Sequence, residues 1–301
     1  MTGRAPLVSL GLPVYNGEQY LRQALDSLTG QTWEGGPFTD LEIVISDNCS
    51  TDGTEAICRE YAARDGRIRY FRQEANIGAG PNYNFVFRQS TGRYFKWCAH
   101  DDFMDPEAME LCAQALEADP LTVLAHPRLV DVDADGRFLV EFDRGDAGLG
   151  EAPERFFQVI QIGHNCAEVF GLTRREVLAR TGLIRDYTDS DRTLLGELAL
   201  HGRLRPVTGA RFYRRAHAGK SDRVYRSFHE RAVWFNPANR DRVVLSACNQ
   251  LRDLARAVAR CPAPVRQKLR CAYLLAKVAK WNGGLYRAEL AWATRRRLGR
   301  A

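Results

Sequence analysis

Three polar clusters in the chain each follow directly on a short apolar run. Pro13-Val14-Tyr15-Asn16 comes after Leu7 to Leu12, Asp47-Asn48-Cys49-Ser50-Thr51-Asp52-Gly53-Thr54 after Leu41 to Ser46, and Ala99-His100-Asp101-Asp102 after Tyr94 to Cys98. A tyrosine ring stacks on a flat base, and a carboxylate accepts a hydrogen bond from an imide N–H or a ribose hydroxyl. Adjacent aspartates hold a divalent cation through oxygen. Each cluster alone has a plainer reading: a Pro-x-Tyr-Asn turn, a loop in which Ser50 or Asp52 caps the next helix, and a solvated carboxylate pair ahead of Pro106. At the ends of three apolar runs together, they describe a seat for a nucleoside diphosphate and its metal.

The elements that must position these clusters alternate. Leu7 to Leu12 reads as a buried strand stopped at Pro13, and Glu18 to Leu28 as a helix with Tyr20, Leu21, Ala24, Leu25 and Leu28 at helical spacing. The strand Leu41 to Ser46, a helix over Thr54–Ala63, the strand Ile68–Phe71, a helix near Asn82–Gln89, the strand Tyr94–Cys98 and a helix over Pro106–Leu116 continue the order. This is the pattern of a doubly wound α/β sheet, in which ligands sit at the carboxyl ends of the strands. Beyond it the order is mixed. Leu121–His126, Arg128–Val132 and Phe138–Phe142 read as strands, and helical stretches near Glu154–Ile162 and Arg174–Ala179 flank the strand-like Ala167–Leu172. Asp191–Leu200 reads as a helix capped by Ser190 or Asp189, followed by strands at Arg203–Val207 and Ala210–Arg214. From about Phe228 the chain turns Ala-, Arg- and Leu-rich and helical, broken at Pro262, Pro264 and Gly283-Gly284.

The 301 residues are 45% hydrophobic and 27% charged, which suits a globular chain of one large or two small domains and excludes fibrous or disordered classes. No run approaches the roughly 18 apolar residues of a membrane span. The N-terminus enters a strand with no apolar signal region, from which a cytoplasmic protein is expected. Eight cysteines without a C-x-x-C pair signal neither a zinc site nor a disulfide scaffold and read as reduced, mostly buried thiols. The net charge of +6 is unevenly spread: residues 241–301 carry 14 Lys and Arg against 3 Asp and Glu. Such a basic helical tail has three readings: helices packed on the rest of the chain, adsorption to an anionic bilayer, and nucleic-acid binding, the last the least favoured. The expected division is 1–225, with a donor half to about 105 and an acceptor half over 106–225, and a basic helical region over 226–301.

Over roughly residues 7–215 the sequence resembles the inverting family 2 glycosyltransferases of the GT-A fold. The motifs that carry the likeness are Val8 to Gly17, Ile45 to Thr54, Asn76-Ile77-Gly78 with Asn82, and Ala99 to Asp102. The resemblance implies a doubly wound mixed sheet in which Pro13 and Tyr15 line the base pocket and Asp47 contacts the base. By the same likeness Asn76 lies near the donor pocket, Asp101 contacts the ribose region and Asp102 binds the Mg or Mn that bridges the donor diphosphate. Where many relatives have Asp-x-Asp, this chain has Ala99-His100-Asp101, with His100 read as a supporting rather than a ligating residue. Inversion requires a base on the face opposite the leaving diphosphate, and the likeness puts it at Asp191, with Asp189 the nearest competitor. His164-Asn165 and His217 lie in segments where the family binds acceptor or closes over the diphosphate. Gly78-Ala79-Gly80 lacks the third glycine of a dinucleotide fingerprint.

The implied activity is metal-dependent, inverting transfer of a sugar from a nucleoside diphosphate-sugar to a hydroxyl of a saccharide, a lipid-linked saccharide or a small molecule. The other reading is a noncatalytic nucleotide-sugar or glycan-binding module, which has no need of a base. A nucleotidyltransferase would carry a Gly-rich, basic phosphate loop where this chain has Tyr15-Asn16-Gly17-Glu18.

Overall fold

The structure, a computed structural model, describes residues 4–142, 148, 150–161, 165–220, 224–225 and 227–298. The first half runs β1 (Val8–Val14), α1 (Glu18–Thr29), a hairpin of β2 (Thr32–Trp33) and β3 (Gly36–Pro37), β4 (Leu41–Asp47), α2 (Thr54–Arg64), β5 (Ile68–Arg72), α3 (Ala79–Gln89), β6 (Tyr94–Trp97) and β7 (Phe103–Met104). Then come α4 (Ala108–Ala118), β8 (Thr122–Val132), β9 (Phe138–Phe142), α5 (Ala152–Ile160), β10 (Leu172–Arg174), α6 (Arg175–Leu178), α7 (Ser190–His201) and β11 (Arg203–Arg215). The last four helices are α8 (Phe228–Phe235), α9 (Ser246–Arg260), α10 (Val265–Trp281) and α11 (Gly283–Arg297).

One sheet organises the molecule, in the order β5-β4-β1-β6-β10-β8-β11-β7, with β9 beside β8. β1 is parallel to both β4 and β6, β4 is parallel to β5, and β10 is antiparallel to β6 and β8, so the sheet is mixed. Alternation along the strands feeds two cores. Leu10, Leu12, Ile43 and Ile45 face α1, α2 and α4, where they meet Leu21, Leu25, Ile57 and Met109. Val44, Phe95 and Trp97 face the other way, onto Val86 and Phe87 of α3 and Leu194, Leu195 and Leu198 of α7. Each such Leu or Phe taken from water contributes about 1.5–3 kcal/mol. A third core joins α5 to the basic region through Phe156, Ile160, Leu254, Val258, Cys271 and Leu275. All eight cysteines are free and six of them are buried.

Three local expectations change. Pro13 does not stop β1, which pairs onward to Val14 opposite Asp47. The two strands expected around Pro127 are one, β8, and the two expected in 203–214 are one, β11. Their ladder breaks between Pro206 and Arg211, opposite Pro127, which has no N–H to donate. Ala167–Phe170 is a 3-10 turn entered through Cys166 in the left-handed region (φ 55°), and only Leu172–Arg174 is strand.

The basic helices are built into the molecule. Glu289, 1% exposed, accepts from the Ala247 and Cys248 N–H groups at the start of α9 (2.9 and 3.0 Å), supplying the carboxylate that a helix N-terminus favours. Among the described residues no helix is long and apolar enough to cross a membrane.

Candidate active site

The loops after β1 and β4 are stitched together by the polar residues between them. Asn16 takes a left-handed conformation (φ 49°), its N–H donates to Ser50 Oγ at 2.9 Å, and its side-chain oxygen accepts from the Thr51 N–H at 2.9 Å. The Gly17 N–H donates to Thr54 Oγ1 (2.9 Å), and the Asn48 N–H to the Val14 carbonyl (2.8 Å). Most of the cluster Asp47–Thr54 is therefore spent holding Tyr15 in place. Asp47 itself is fully buried: its carboxylate accepts from the Ser50 N–H (2.9 Å) and the Tyr70 hydroxyl (3.0 Å), with Arg72 Nε at 3.7 Å.

These loops open on a cleft of about 1190 Å³, larger than the roughly 300–1,000 Å³ usual for one small ligand. Of the expected binding and metal residues, Pro13, Tyr15, Asn76, Asp101 and Asp102 line it. Asp47 is not among its lining residues. It belongs to β4, and its carboxylate points to Ser50 and Tyr70. Asn48, one residue on, lines the cleft instead. The Asn48 amide donates to Asn76 Oδ1 (3.0 Å) while its oxygen accepts from the Ile77 N–H (2.8 Å), which fixes the Asn76 turn. Asn82 lines the cleft too, but its side-chain amide is engaged with Ser46: its oxygen accepts from the hydroxyl at 2.6 Å and its nitrogen donates to the carbonyl at 3.0 Å.

The Asp101-Asp102 pair is held from β11. Asp102, 5% exposed, accepts from the Arg215 N–H at 2.9 Å, and burial together with the neighbouring Asp101 charge raises its pKa. Asp101 Oδ2 lies 2.9 Å from His217 Nε2; burial works against ionisation there but is outweighed by that hydrogen bond and by His100 and Lys220, and the pKa is lowered. Arg215 is itself buried. Its Nε donates to the Asp101 carbonyl (3.0 Å), NH1 donates to the Ala134 carbonyl (2.8 Å), and the guanidinium lies 4.6 Å from the Tyr20 ring, which in turn packs on His217 with centroids 4.9 Å apart. On the cleft floor, Phe170 is held by the buried Lys96, whose Nζ donates to the Phe170 carbonyl; burial lowers that amine's pKa.

Asp191 lies in the first turn of α7, which follows Asp189 in the left-handed region (φ 61°). Asp189 is exposed and Asp191 partly buried. Burial first, and then the Asp189 charge, pushes the Asp191 carboxyl up to about 6. It does not line the cleft itself, but it acts on Tyr83, which does. Burial raises the Tyr83 hydroxyl, and the charges of Asp101, Asp102 and Asp191 raise it further. The loop before α7 is tied from both sides. Asn84 of α3 exchanges hydrogen bonds with the Ile184 carbonyl (2.7 Å) and N–H (3.1 Å). From α9, Asp253, 2% exposed, accepts from the Tyr187 hydroxyl (3.1 Å) beside Arg185, and Gln250 donates to the Asp189 carbonyl (3.0 Å).

The open end of the cleft is walled by residues that sequence reasoning missed. Tyr225 and Trp234 stack on each other with centroids 5.7 Å apart and line it with His229, Val233, Pro237 and Arg240. α8 reaches the cleft because Gly78 (φ 89°) lets the chain approach closely: a Cβ there would lie 2.5 Å from Pro237 Cδ and 2.7 Å from the Phe235 carbonyl oxygen. The available signal was the aromatic run Tyr225, Phe228, Trp234, Phe235 between two basic stretches. His217 lies in the site, whereas His164 falls outside the described residues.

The model of the family described as Glycosyl transferase family 2 matches residues 9–182. Over 136 residues the chain is 34% identical to a chondroitin synthase of Escherichia coli, an alignment covering 45% of this chain and 19% of that protein. Over 154 residues it is 29% identical to an uncharacterized glycosyltransferase of Methanocaldococcus jannaschii, covering 51% of this chain and 52% of that one. The match thus spans only a part of each curated relative, about a fifth of the first. Among solved structures, S. aureus TarS 1-349 in complex with UDP-GlcNAc superimposes with a TM-score of 0.66 at 18% identity, covering 93% of this chain and 74% of that 1-349 chain.

Proposed function

This chain belongs to glycosyl transferase family 2 and has the GT-A fold, and from that premise we propose that it moves a sugar from a nucleoside diphosphate-sugar to an acceptor hydroxyl by a single displacement with inversion. The observation that carries the reading is the convergence of Tyr15, Asn76, Asp101 and Asp102 on one cleft, to which the carboxylate in the first turn of α7, Asp191, would add the base. A structural neighbour solved with UDP-GlcNAc supports a nucleoside diphosphate-sugar as donor.

In this reading Tyr15, 40% exposed, offers its ring to the base, with Pro13 beneath and the Asn48–Asn76 pair at the edge. Asp47 supports the base pocket from behind by fixing Ser50. The donor set around Asp101 fits a hard cation: two adjacent carboxylates, one pushed toward its neutral form by burial and then by the other's charge, with His217 alongside. Among the described residues no three His, Cys, Asp or Glu side chains form a metal cluster, so Asp102 and the adjacent Asp101 would hold Mg or Mn together with diphosphate and water oxygens. When bound, the cation supplies Lewis-acid stabilisation of the leaving diphosphate. Lys220 adds positive charge to the same region, while burial holds His100 toward its neutral form.

Asp191 takes the acceptor hydroxyl proton. A carboxyl raised to about 6 is ionised at neutral pH yet more basic than an exposed aspartate, which is what a general base needs. The Tyr225–Trp234 pair gives the acceptor an apolar face to lie on, and the cleft volume leaves room for donor and acceptor together. Residues to about 105 then hold the donor and 106–225 supply the base, while α8 completes the acceptor wall. The test is a thermal-shift panel of nucleoside diphosphates with and without Mn²⁺. One nucleotide should raise the melting temperature, more so with the cation, and Asp101→Asn should abolish the cation's increment. No shift with any nucleotide would overturn the reading.

A further inference from the structure

α10 carries two apolar stripes. One, Cys271, Leu275 and Val278, is buried in the third core. The other is exposed: Val265 at 73%, Leu269 at 68% and Tyr273 at 67%, with Ala272 and Ala276 exposed between them. At about 100° per residue these five side chains fall within an arc of about 100°, joined near the end of the helix by the exposed Lys280, and Arg266, Lys277 and Arg270 follow in the next ~60° on one side. Trp281, 58% exposed, closes the helix with Lys277 Nζ 4.8 Å from its ring. Arg270 is paired with Glu154 of α5 at 2.6 Å, and the other charges of the three helices' exposed surface are basic. The acidic residues of 246–301 are Asp253 and Glu289 alone, both buried and engaged inside the fold, so the described surface of α9 to α11 is free of exposed carboxylates.

We infer that this face adsorbs to an anionic lipid bilayer, with α10 lying in the headgroup region, its apolar stripe inward and its basic edge on lipid phosphates. Charge complementarity selects an anionic partner, and the unsatisfied stripe selects one that also offers hydrocarbon. A nucleic acid would meet the charge and leave Val265, Leu269 and Tyr273 in water. Tyr273 and Trp281 are residue types favoured at the lipid–water boundary. The same helices back the cleft wall: Trp292 of α11 packs on Phe228 with centroids 6.0 Å apart, and Arg296 lies 3.0 Å from His229, which lines the cleft. Adsorption therefore brings the cleft to a lipid-linked acceptor; that consequence, unlike adsorption itself, rests on the transferase reading.

The experiment is co-sedimentation of the full chain with phosphatidylcholine vesicles, with and without roughly 30% phosphatidylglycerol, at low salt. Binding is expected only to the anionic vesicles, with release at about 0.5 M salt. The double variant Leu269→Glu, Tyr273→Glu, altered at two exposed positions, should bind at least ~10-fold more weakly while keeping its melting temperature and its nucleotide-induced shift. Failure of the wild type to sediment, or undiminished binding by the variant, overturns the inference. So does light scattering that shows the variant dissociating an oligomer, since a second copy then covers the stripe, or a duplex oligonucleotide that displaces the vesicles and binds the variant equally well. None of these outcomes touches nucleotide binding, so failure here is distinct from failure of the transferase reading.

Discussion

Replacing Asp191 by Asn separates a base from a helix-start carboxylate, because the two roles have opposite stability signs. The folded protein holds the Asp191 carboxyl at about 6 against an ordinary 3.8. A difference of about 2 pKa units at about 1.4 kcal/mol each amounts to at most about 3 kcal/mol of destabilisation. The folded state binds this proton more tightly than the unfolded chain. The destabilisation is therefore absent below about pH 4, grows as pH rises toward 6 and is constant above that. Asparagine removes it. At pH 8 the variant should be more stable than the wild type by up to about 3 kcal/mol, roughly 5 °C in melting temperature, and the gap should close near pH 4. Turnover should fall by about 10²–10⁴, and the wild-type acid limb near pH 6 should vanish from what remains. Urea unfolding at the two pH values, run beside a transfer assay, measures both. A carboxylate placed to serve the α7 N-terminus would instead lose about 0.3–1 kcal/mol on substitution. Equal or lower stability of Asp191→Asn at pH 8 would refute the reasoning.

Three further outcomes are expected. Gly78→Ala combines a left-handed φ with a Cβ 2.5 Å from Pro237; it should lose about 1–3 kcal/mol in denaturant titrations and raise the acceptor KM by loosening α8. Asp253→Ala strips the buried partner from Tyr187 and Arg185 and should lose about 3–5 kcal/mol. Because it slackens the loop that carries Asp191, kcat in steady-state assays should drop more than donor KM rises. Trp234→Ala removes half of the stacked pair and should raise acceptor KM about 10-fold, with nucleotide-induced melting shifts unchanged.

The sheet was legible because its strands are mostly apolar runs such as Leu41–Ile45, broken only by Glu42, and buried parallel strands need no alternation to be recognised. The three polar clusters were legible because strand ends in such a sheet are where ligands bind. Which residue of a cluster faces the cleft was less so. Asp47 and Asn48 are adjacent and both polar, and only the three-dimensional path of β4 sends the first to Tyr70 and the second to the Asn76 turn. Tyr83 gave no signal, since an aromatic in a helix reads as core. The α8 wall was hidden for another reason: it depends on Gly78 meeting Pro237 across 159 positions of sequence, a tertiary contact without a local pattern. The tail's charge was plain, but its two carboxylates were indistinguishable from surface groups until their burial was seen.

The most direct measurement is a crystal structure of the chain with a nucleoside diphosphate-sugar and Mn²⁺. The base is expected against Tyr15 and Pro13, the diphosphate beside Asp101 and His217, and the Asp191 carboxylate on the face of the anomeric carbon opposite the leaving oxygen. A donor bound elsewhere, or Asp191 on the same face as the diphosphate, would contradict this arrangement.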